Sequence, residues 1–355
     1  MFTLLEDIAA LIETGPIAMA RVVSTTGAGP REVGATMLVT ADGRPIGSLS
    51  AGCVEAVVID TALSVIKLGM SATERFSYAD ADSVEIGLTC GGQVEVFIER
   101  LDHQHGEMIA RMIDYRNAGQ SITLVTTVTA APERQLVTDA DMTDRAHRAD
   151  SELTPRFDAG HGGMFGATSA AAPRTFVHTY APPPRMLLVG ANDYVRAMSV
   201  TGSQLGYRVT VVDARSLFAT PARFPEADEV VVDWPHRYIE REHAAGRIDF
   251  RTATCVMTHD SKFDVPALAA LLRLDEIGFI GALGSRRTHM DRTARLRQVG
   301  ITDLQLKQLH SPVGLDLGAH SPEETAISIV AQVLAERHAA SGRALSDLDG
   351  PIHRR

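Results

Sequence analysis

A cysteine beside a predicted helix start is the first candidate for chemistry in this chain. Cys53 follows Gly52 in the segment GSLSAGCVEA, and an apolar-periodic stretch that predicts a helix begins directly after it. A helix N-terminus stabilises the thiolate form and so lowers the pKa of a thiol. The position therefore predicts a reactive or metal-binding Cys53, although burial as an inert core residue is the commoner fate of a free cysteine.

A second cysteine precedes a strand with period-two alternation. Cys90 is followed by Gly91 and Gly92 in the segment GLTCGGQVEVFIE, and these glycines would let a ligand or another chain come close to the thiol. Two thiols without Cys-x-x-Cys spacing or a nearby pair of histidines fall short of a structural zinc signature. A soft metal or a sulfur-handling reaction suits Cys53 and Cys90 better, because thiolates are soft ligands.

A basic segment is the candidate for binding an anion. Ser285 is predicted to cap a helix whose first turn holds Arg286 and Arg287, where each cation opposes the helix dipole by about 0.3–1 kcal/mol. Residues 285–299 contain five arginines and one aspartate, a net +4 in a chain of formal charge −10. A phosphate held by the helix start and both guanidinium groups would reverse the unfavourable interaction, whereas a solvated basic face is the alternative.

The elements that must position these residues fall into two halves. Runs rich in β-formers alternate with one amphipathic helix in residues 1–128, which predicts a mixed α+β N-terminal domain. Residues 129–184 are predicted to be loops with hairpin strands that end in a proline-rich linker. In residues 185–340, short continuous apolar runs alternate with helix-compatible segments, the pattern of a Rossmann-like doubly wound parallel sheet. Residues 341–355 are predicted to be a frayed tail.

The predicted second domain has the layout of a dinucleotide fold without its glycine fingerprint. Gly190 closes the first strand and Asp213 ends the second, as the fingerprint requires, but Asn192 and Val195 occupy the second and third glycine positions. The side chain of Asn192 would fill space that a pyrophosphate needs. The substitution argues for a structural Rossmann core or a different phosphate-bearing ligand, and against NAD(P).

Ligands of such sheets bind beyond the carboxyl ends of the strands. The topology places Gly190, Asp213, His259 and Asp260 there. His259 could carry a proton or bind a metal, or the His259–Asp260 pair could simply hydrogen-bond a turn. Cys255, inside an apolar run, is predicted to be a small core residue.

Composition limits the class of function. The chain has 355 residues with 34 Lys and Arg, 44 Asp and Glu, and 45% hydrophobic residues, so it can bury ordinary cores but would repel nucleic acid. Its three cysteines argue against a disulfide scaffold. The first 15 residues predict an amphipathic helix rather than a signal peptide, and no apolar run approaches the ~18 residues of a membrane span. These features predict a soluble cytoplasmic protein.

Long ordered blocks of the chain resemble the XdhC/CoxI family, accessory proteins of xanthine dehydrogenase and related molybdenum hydroxylases. The resemblance covers nearly all of the chain outside the middle segment and the tail. It is carried by GAGPREVGATMLVTADGRPIGSLSAGCVEA, GLTCGGQVEVFIE, RMLLVGANDYVRAMS, RVTVVDAR, THD, GALGSRRTHMDRTARL and SPVGLDLGAHSPEETAISIVAQV. Two departures stand out: Ala51 replaces a glycine in the family's Ser-Gly-Gly-Cys, and GANDYV replaces its usual G-A-G-H-V-A turn.

The resemblance implies a cytoplasmic chaperone without a catalytic site of its own. It would bind the molybdenum cofactor, in the mononucleotide or dinucleotide form, while a cysteine desulfurase supplies the terminal sulfur, and then deliver it to an apo-hydroxylase. We expect a homodimer. We assign Cys53 and Cys90 to the metal end of the cofactor and the Ser285, Arg286 and Arg287 turn to its phosphate end. The complete predicted cofactor site is Gly52, Cys53, Cys90, Gly91, Gly92, Gly190, Asp213, His259, Asp260, Ser285, Arg286 and Arg287.

Two other functions stay open on the sequence. An NAD(P)-dependent oxidoreductase could use the Rossmann-like half, although its glycine fingerprint is degraded and no Tyr-x-x-x-Lys set is recognisable. A nucleotide-sensing or scaffold module would bind only partners.

Overall fold

The described chain forms two compact units, Met1–Pro182 and Pro183–Leu348, and the boundary falls inside the run of three prolines at 182–184. The computed structural model describes residues 4–26, 31–50, 52, 54–77, 93–138, 162–165, 174–258 and 260–349.

The first unit combines antiparallel sheets with helices. Its helices in the described residues are α1 (Leu5–Thr14), α2 (Glu55–Leu68) and α3 (Gly106–Asn117), the last preceded by a 3-10 turn, His103–His105. Its strands there are β1 (Ile17–Thr26), β2 (Thr36–Val39), β3 (Pro45–Gly47), β4 (Ala72–Phe76), β5 (Gln93–Leu101), β6 (Ile122–Thr127), β7 (Arg134–Val137), β8 (Gly162–Phe165) and β9 (Thr175–Tyr180).

The central sheet of the first unit has the order β3-β2-β1-β5-β4 with antiparallel pairs throughout. Helix α2, the predicted amphipathic helix, covers one face, where Val58, Ala62 and Val65 are buried against β1 and β5. Helices α1 and α3 and strand β6 pack on the other face. Strand β1 is therefore buried on both sides, which explains its nearly continuous apolar sequence.

A second antiparallel sheet, ordered β7-β6-β9-β8, takes three of its strands from the stretch that the sequence predicted to be loops with hairpin strands. Strand β6, inside the predicted N-terminal domain, pairs with β7 and β9 beyond it. Phe176 on β9 is fully buried against Val23 and Phe97 of the central sheet. The first unit thus extends past residue 128 to Pro182.

The second unit is a doubly wound parallel sheet, which confirms the predicted fold class. Its order, β12-β11-β10-β13-β14-β15, is the Rossmann order 3-2-1-4-5-6. Its strands are β10 (Arg185–Val189), β11 (Arg208–Asp213), β12 (Glu229–Val232), β13 (Ala253–Val256), β14 (Phe279–Ala282) and β15 (Leu309–His310). Its helices are α4 (Asp193–Gln204), α5 (Pro235–Ala244), α6 (Ser261–Leu272), α7 (Arg286–Gln298), α8 (Asp303–Leu306) and α9 (Pro322–Arg337), with a 3-10 turn at Leu345–Asp347.

A fully buried ion pair lies within the first unit. Arg21 on β1 donates to Glu99 on β5 across 2.5 Å, and both side chains are completely inaccessible to water. The other Glu99 oxygen accepts a 2.7 Å bond from Arg134 on β7, so one carboxylate joins both sheets. Arg21 also donates to Thr126 on β6 across 3.0 Å. Buried charges persist only when paired in this way.

Replacing Glu99 with Gln should lower the stability of the first unit by about 3–5 kcal/mol, because the change leaves two guanidinium groups without their shared carboxylate. Denaturant unfolding of the full chain measures the loss. The control is Glu6→Gln, which removes an exposed ion pair with Arg116 and should shift the transition little. Equal shifts for the two variants would contradict the structural role given to Glu99.

Candidate functional site

The connections that carry both predicted cysteine motifs leave one edge of the central sheet. Thr26, at the end of β1, pairs with Gln93, at the start of β5. Phe76, at the end of β4, pairs with Val94. The 77–92 connection, which contains the Cys90 motif, therefore begins and ends at this edge, where β1 also ends.

The Cys53 motif emerges at the same edge. Strand β3 runs parallel to β1, because both are antiparallel to β2, and Gly47 at its end pairs with Met37. The chain thus leaves β3 toward the edge at which β1 ends. Four predicted site residues of this half lie outside the described residues: Cys53, Cys90, Gly91 and Gly92. Their proximity stays a prediction.

The turn before α2 is folded around one carboxylate. Glu55 Oε1 accepts bonds from the Ser48 hydroxyl, 3.0 Å, and the Ser50 amide, 2.8 Å. Its Oε2 accepts from the Ser50 hydroxyl, 2.5 Å, and the Val54 amide, 3.2 Å. Burial opposes ionisation, but these hydrogen bonds, led by those from Ser50, lower the pKa of Glu55 to about 2. Sequence reasoning overlooked this acid, although its place in the first helical turn after two serines was a usable capping signal.

Gly52 is the described member of the predicted site in this turn. Its φ of +113° is one that side chains rarely adopt, and a Cβ there would meet no atom of the described residues within 4 Å. Backbone conformation, rather than crowding, requires glycine at this position.

In the turn between β10 and α4, the Asn192 side chain does not point where the sequence analysis expected. Gly190 has φ +122°, and a Cβ there would lie 3.1 Å from Thr258 Cγ2, so close packing against the end of β13 requires glycine. Asn192 caps α4 by accepting from the Val195 amide, 3.1 Å, and donates to the Met257 carbonyl, 2.8 Å. Its amide thus points into the fold, because the helix start and the strand end both offer it a partner. Asp193, 71% exposed, is the side chain presented at this turn.

Asp213 lies at the end of β11 as predicted, but its carboxylate is fully engaged. Arg215 donates to Oδ1 through its amide, 2.8 Å, and Nε, 2.9 Å, and to Oδ2 through Nη2, 2.7 Å. A ribose hydroxyl would have to compete with these bonds. The Asp-x-Arg spacing was the sequence signal for this arginine.

The end of β13 holds the other predicted crevice residues. Asp260 caps α6 by accepting from the Lys262 amide, 3.1 Å, and forms an ion pair with Lys262 Nζ, 3.0 Å. The Lys262 amide lowers the pKa of Asp260. Asp260 therefore has the turn-forming role that was one of the two alternatives for the His259–Asp260 pair; His259 lies outside the described residues. Cys255 is fully buried, which raises its thiol pKa to about 12 and confirms it as a core residue.

The basic helix start has the predicted geometry. Ser285 caps α7 by accepting from the Thr288 amide, 3.1 Å, and Arg286 and Arg287 occupy the first turn, exposed to solvent. Neither arginine forms a hydrogen bond or ion pair with the described residues. Two cations without acidic partners at a helix N-terminus are unfavourable unless an anion binds between them.

A buried ion pair that sequence reasoning missed links this helix start to the crevice. Arg292 of α7 is 3% exposed and donates to Asp264 of α6, 3.0 Å, and to the Leu283 carbonyl, 2.9 Å, two residues before Ser285. Asp264 also accepts a bond from Thr258, which packs against Gly190. The pair is separated by 28 positions in sequence, so no local pattern could reveal it.

Metal clusters and membrane spans are both absent from the described part of the chain. It contains no group of three or more His, Cys, Asp or Glu side chains placed to hold a metal ion. No helix in it is long and apolar enough to cross a membrane.

Two family models match the chain and together span more than half of it. One, described as the XdhC Rossmann domain, matches residues 186–333. The other, described as the XdhC and CoxI family, matches residues 11–77.

Curated and solved proteins match over nearly the whole chain. It is 27% identical over 334 residues to a probable xanthine dehydrogenase subunit of Bacillus subtilis, covering 90% of this chain and 92% of the relative. It is 24% identical to the molybdenum cofactor insertion chaperone PaoD of Escherichia coli, covering 89% of this chain and 81% of the relative. A crystal structure described as a xanthine dehydrogenase from Bacillus halodurans aligns with a TM-score of 0.71 and 28% identity, over 98% of this chain and 97% of that chain.

Replacing Glu55 with Gln should destabilise the first unit near neutral pH, because a neutral amide accepts the four bonds less well. The folded-state pKa is depressed from its ordinary 4.5 to about 2, so the carboxylate stabilises the fold above pH 4.5 and loses that effect as the pH falls toward 2. Thermal unfolding against pH should show the difference between wild type and variant shrinking over this range. A constant difference would contradict the pKa, and Glu13→Gln, an exposed acid of α1, is the control.

Replacing Arg292 with Met should cost the second unit about 3–5 kcal/mol, because Asp264 is left buried without its cation. The double variant Arg292→Met/Asp264→Asn removes both charges and should recover a large part of that loss in denaturant unfolding. A double variant no more stable than the single one would show that Arg292 contributes by packing alone.

Proposed function

Since the chain belongs to the XdhC and CoxI family, we propose that it binds the molybdenum cofactor and inserts it into a molybdenum hydroxylase of the xanthine dehydrogenase type. The names of its relatives, a probable xanthine dehydrogenase subunit and a molybdenum cofactor insertion chaperone, support an accessory role. The observation that carries the proposal is the start of α7, where Arg286 and Arg287 have no acidic partner among the described residues. The protein acts in the cytoplasm and has no turnover site of its own.

The α7 start holds the phosphate end of the cofactor. Backbone amides at a helix N-terminus donate toward a bound anion, and guanidinium groups form short, charge-assisted bonds to phosphate oxygens. The exposed side chains of Arg286 and Arg287 can turn toward an anion, since neither is engaged elsewhere in the described residues. The buried Arg292–Asp264 pair fixes the carbonyl of Leu283 and so the direction in which this turn faces. The donor set therefore fits a phosphate, in either the mononucleotide or the dinucleotide form of the cofactor.

Cys53 and Cys90 contact the metal end. Thiolates suit a soft, sulfur-ligated metal, and the connections that contain both residues belong to one sheet edge. Glu55 supports this role by holding the turn before α2, with Gly52 next to the thiol in sequence. When bound, the cofactor brings the molybdenum and the sulfur ligand that a client hydroxylase needs.

Two partners and a symmetric assembly complete the proposal. A cysteine desulfurase supplies the terminal sulfur while the cofactor is sheltered, and an apo-hydroxylase receives the finished group. The chain works as a homodimer. Gly190, Asp213 and Asp260 form the remaining part of the proposed site, to which we also assign His259, and Asp213 acts there through Arg215 rather than by a free carboxylate.

An NAD(P)-dependent oxidoreductase is the second candidate, favoured by the Rossmann strand order. Asp193 at the first turn and the engaged Asp213 both disfavour the usual contacts to a pyrophosphate and a ribose.

The double variant Arg286→Gln/Arg287→Gln should bind the cofactor at least about tenfold more weakly, because each charge-assisted bond to phosphate contributes about 1.5–3 kcal/mol. The measurement is molybdenum and pterin content after purification from cofactor-producing cells. The control, Arg295→Gln/Arg297→Gln, removes the same charge at the other end of α7, where both arginines pair with aspartates. Equal retention by both double variants would contradict the proposed phosphate site.

Cys53→Ala and Cys90→Ala should each reduce activation of the client hydroxylase, with bound pterin reduced less than activation because the phosphate end is intact. Cys255→Ala is the control, since that thiol is buried in the sheet. Unchanged activation of the client hydroxylase by both variants would contradict the assignment of Cys53 and Cys90 to the metal end of the cofactor.

A further inference from the structure

The crevice at the switch point of the parallel sheet contains a cavity that the predicted site residues only partly account for. Strand β10 lies between β11 and β13, where the chain winds in opposite directions on either side. The cavity here is about 450 Å³, large enough for a small organic ligand. It is lined by Ala191, Asn192, Asp193, Arg215, Phe218, Arg223, Thr258, Asp260 and Phe263.

Arg223 gives the cavity a positive charge, and Arg215, although paired with Asp213, adds one further guanidinium nitrogen. Arg223 donates to the Phe218 carbonyl, 3.3 Å, and has no carboxylate within ion-pair distance among the described residues. Arg215 uses Nε and Nη2 on Asp213, and its Nη1 makes no hydrogen bond to the described residues. Of the two acids that line the cavity, Asp260 pairs with Lys262, 3.0 Å, and Asp193 lies 3.9 Å from Arg196. An anionic group would therefore bind on the Arg215–Arg223 side.

Aromatic rings accompany these cations. The Arg215 guanidinium lies 4.8 Å from the Phe218 ring centroid and 5.9 Å from that of Phe263, and Arg223 lies 5.6 Å from Phe218. Phe218 is 38% exposed, so its ring is available to a ligand in the cavity. Rings beside guanidinium groups stack flat, electron-rich heterocycles such as nucleobases.

The residues at the start of α4 disfavour the binding of a dinucleotide in this crevice. A pyrophosphate would sit at the N-terminus of α4, where Asp193 projects into the cavity and would repel it. Asn192 uses its side-chain amide on the fold and offers no compensating donor. The cation side of the cavity lies instead beside the end of β11, with Arg215 and the loop that carries Arg223.

We propose that this crevice binds a nucleoside monophosphate, with the base against Phe218 and Phe263 and the phosphate on Arg215 and Arg223. The site is separate from the phosphate site at the start of α7 and needs no molybdenum. Its ligand is either a free nucleotide or the nucleotide half of a larger cofactor, and both present the same chemistry to the crevice.

The fluorescence of the single tryptophan of the chain can be used to detect ligand binding at this site. Trp234 lies 5.3 Å, centroid to centroid, from Phe263 of the cavity wall. Titration of the full chain with CMP, GMP or AMP should change Trp234 fluorescence saturably, with a dissociation constant below about 1 mM, and calorimetry should give the same constant. Preference for AMP would identify a free adenine nucleotide, and preference for CMP or GMP the nucleotide half of a pterin dinucleotide; either supports the site.

Variants locate the phosphate contact. Arg223→Gln should weaken binding at least about tenfold, while Arg208→Gln, which removes an exposed arginine at the opposite end of β11, should leave it unchanged. Binding of the parent nucleoside should be weaker by a similar factor. Absence of saturable binding by all three nucleotides, equal affinity of Arg223→Gln and wild type, or tighter binding of NAD⁺ than of every mononucleotide would overturn the proposal. None of these readouts depends on the molybdenum cofactor, so failure here is distinguishable from failure of the proposed function.

Discussion

The second unit depends on one buried ion pair, Arg292 with Asp264. Charge taken out of water must be compensated, so the helices α6 and α7 are held in the one arrangement that pairs these groups. Asp264 accepts a hydrogen bond from Thr258, which packs closely against Gly190. Arg292 donates to the Leu283 carbonyl, which precedes the turn that begins α7. The same interaction thereby sets both the crevice and the exposed arginine pair. The charges of Arg292 and Asp264 are buried and paired and stabilise the fold, whereas those of Arg286 and Arg287 are exposed and available to a ligand.

The first unit applies the same principle with carboxylates. Glu99 accepts hydrogen bonds from Arg21 and Arg134 and so joins the two sheets. Glu55 accepts four hydrogen bonds, which hold the turn before α2 in one conformation. Glu55 lies in the turn that adjoins the Cys53 motif, whereas Glu99 lies toward the other end of β5, where it pairs with Met19 of β1. A sheet edge from which several long connections emerge can support a binding site only if their bases are fixed, and Glu55 fixes the base of the connection that leads into α2.

Local patterns in the sequence predicted much of this structure. The Ser285 cap and the amphipathic helix after Cys53 both formed as expected, because each depends on residues within one or two helical turns. The alternation of apolar runs was enough for the parallel sheet. Contacts between distant positions, such as Arg292 with Asp264, required the tertiary fold. At Asn192 the residue type suggested obstruction, whereas the structure gives it capping partners on both sides.

The exposed arginines at the start of α7, held in place by paired buried charges, support the proposed role in carrying a phosphate-bearing cofactor. The most direct measurement is the molybdenum and pterin content of the full chain purified from cells that make the cofactor. We expect molybdenum and pterin in equal amounts, bound to a large share of the protein. Purification with NAD(P) and no pterin, or with neither group, would contradict the proposed cofactor-carrying role.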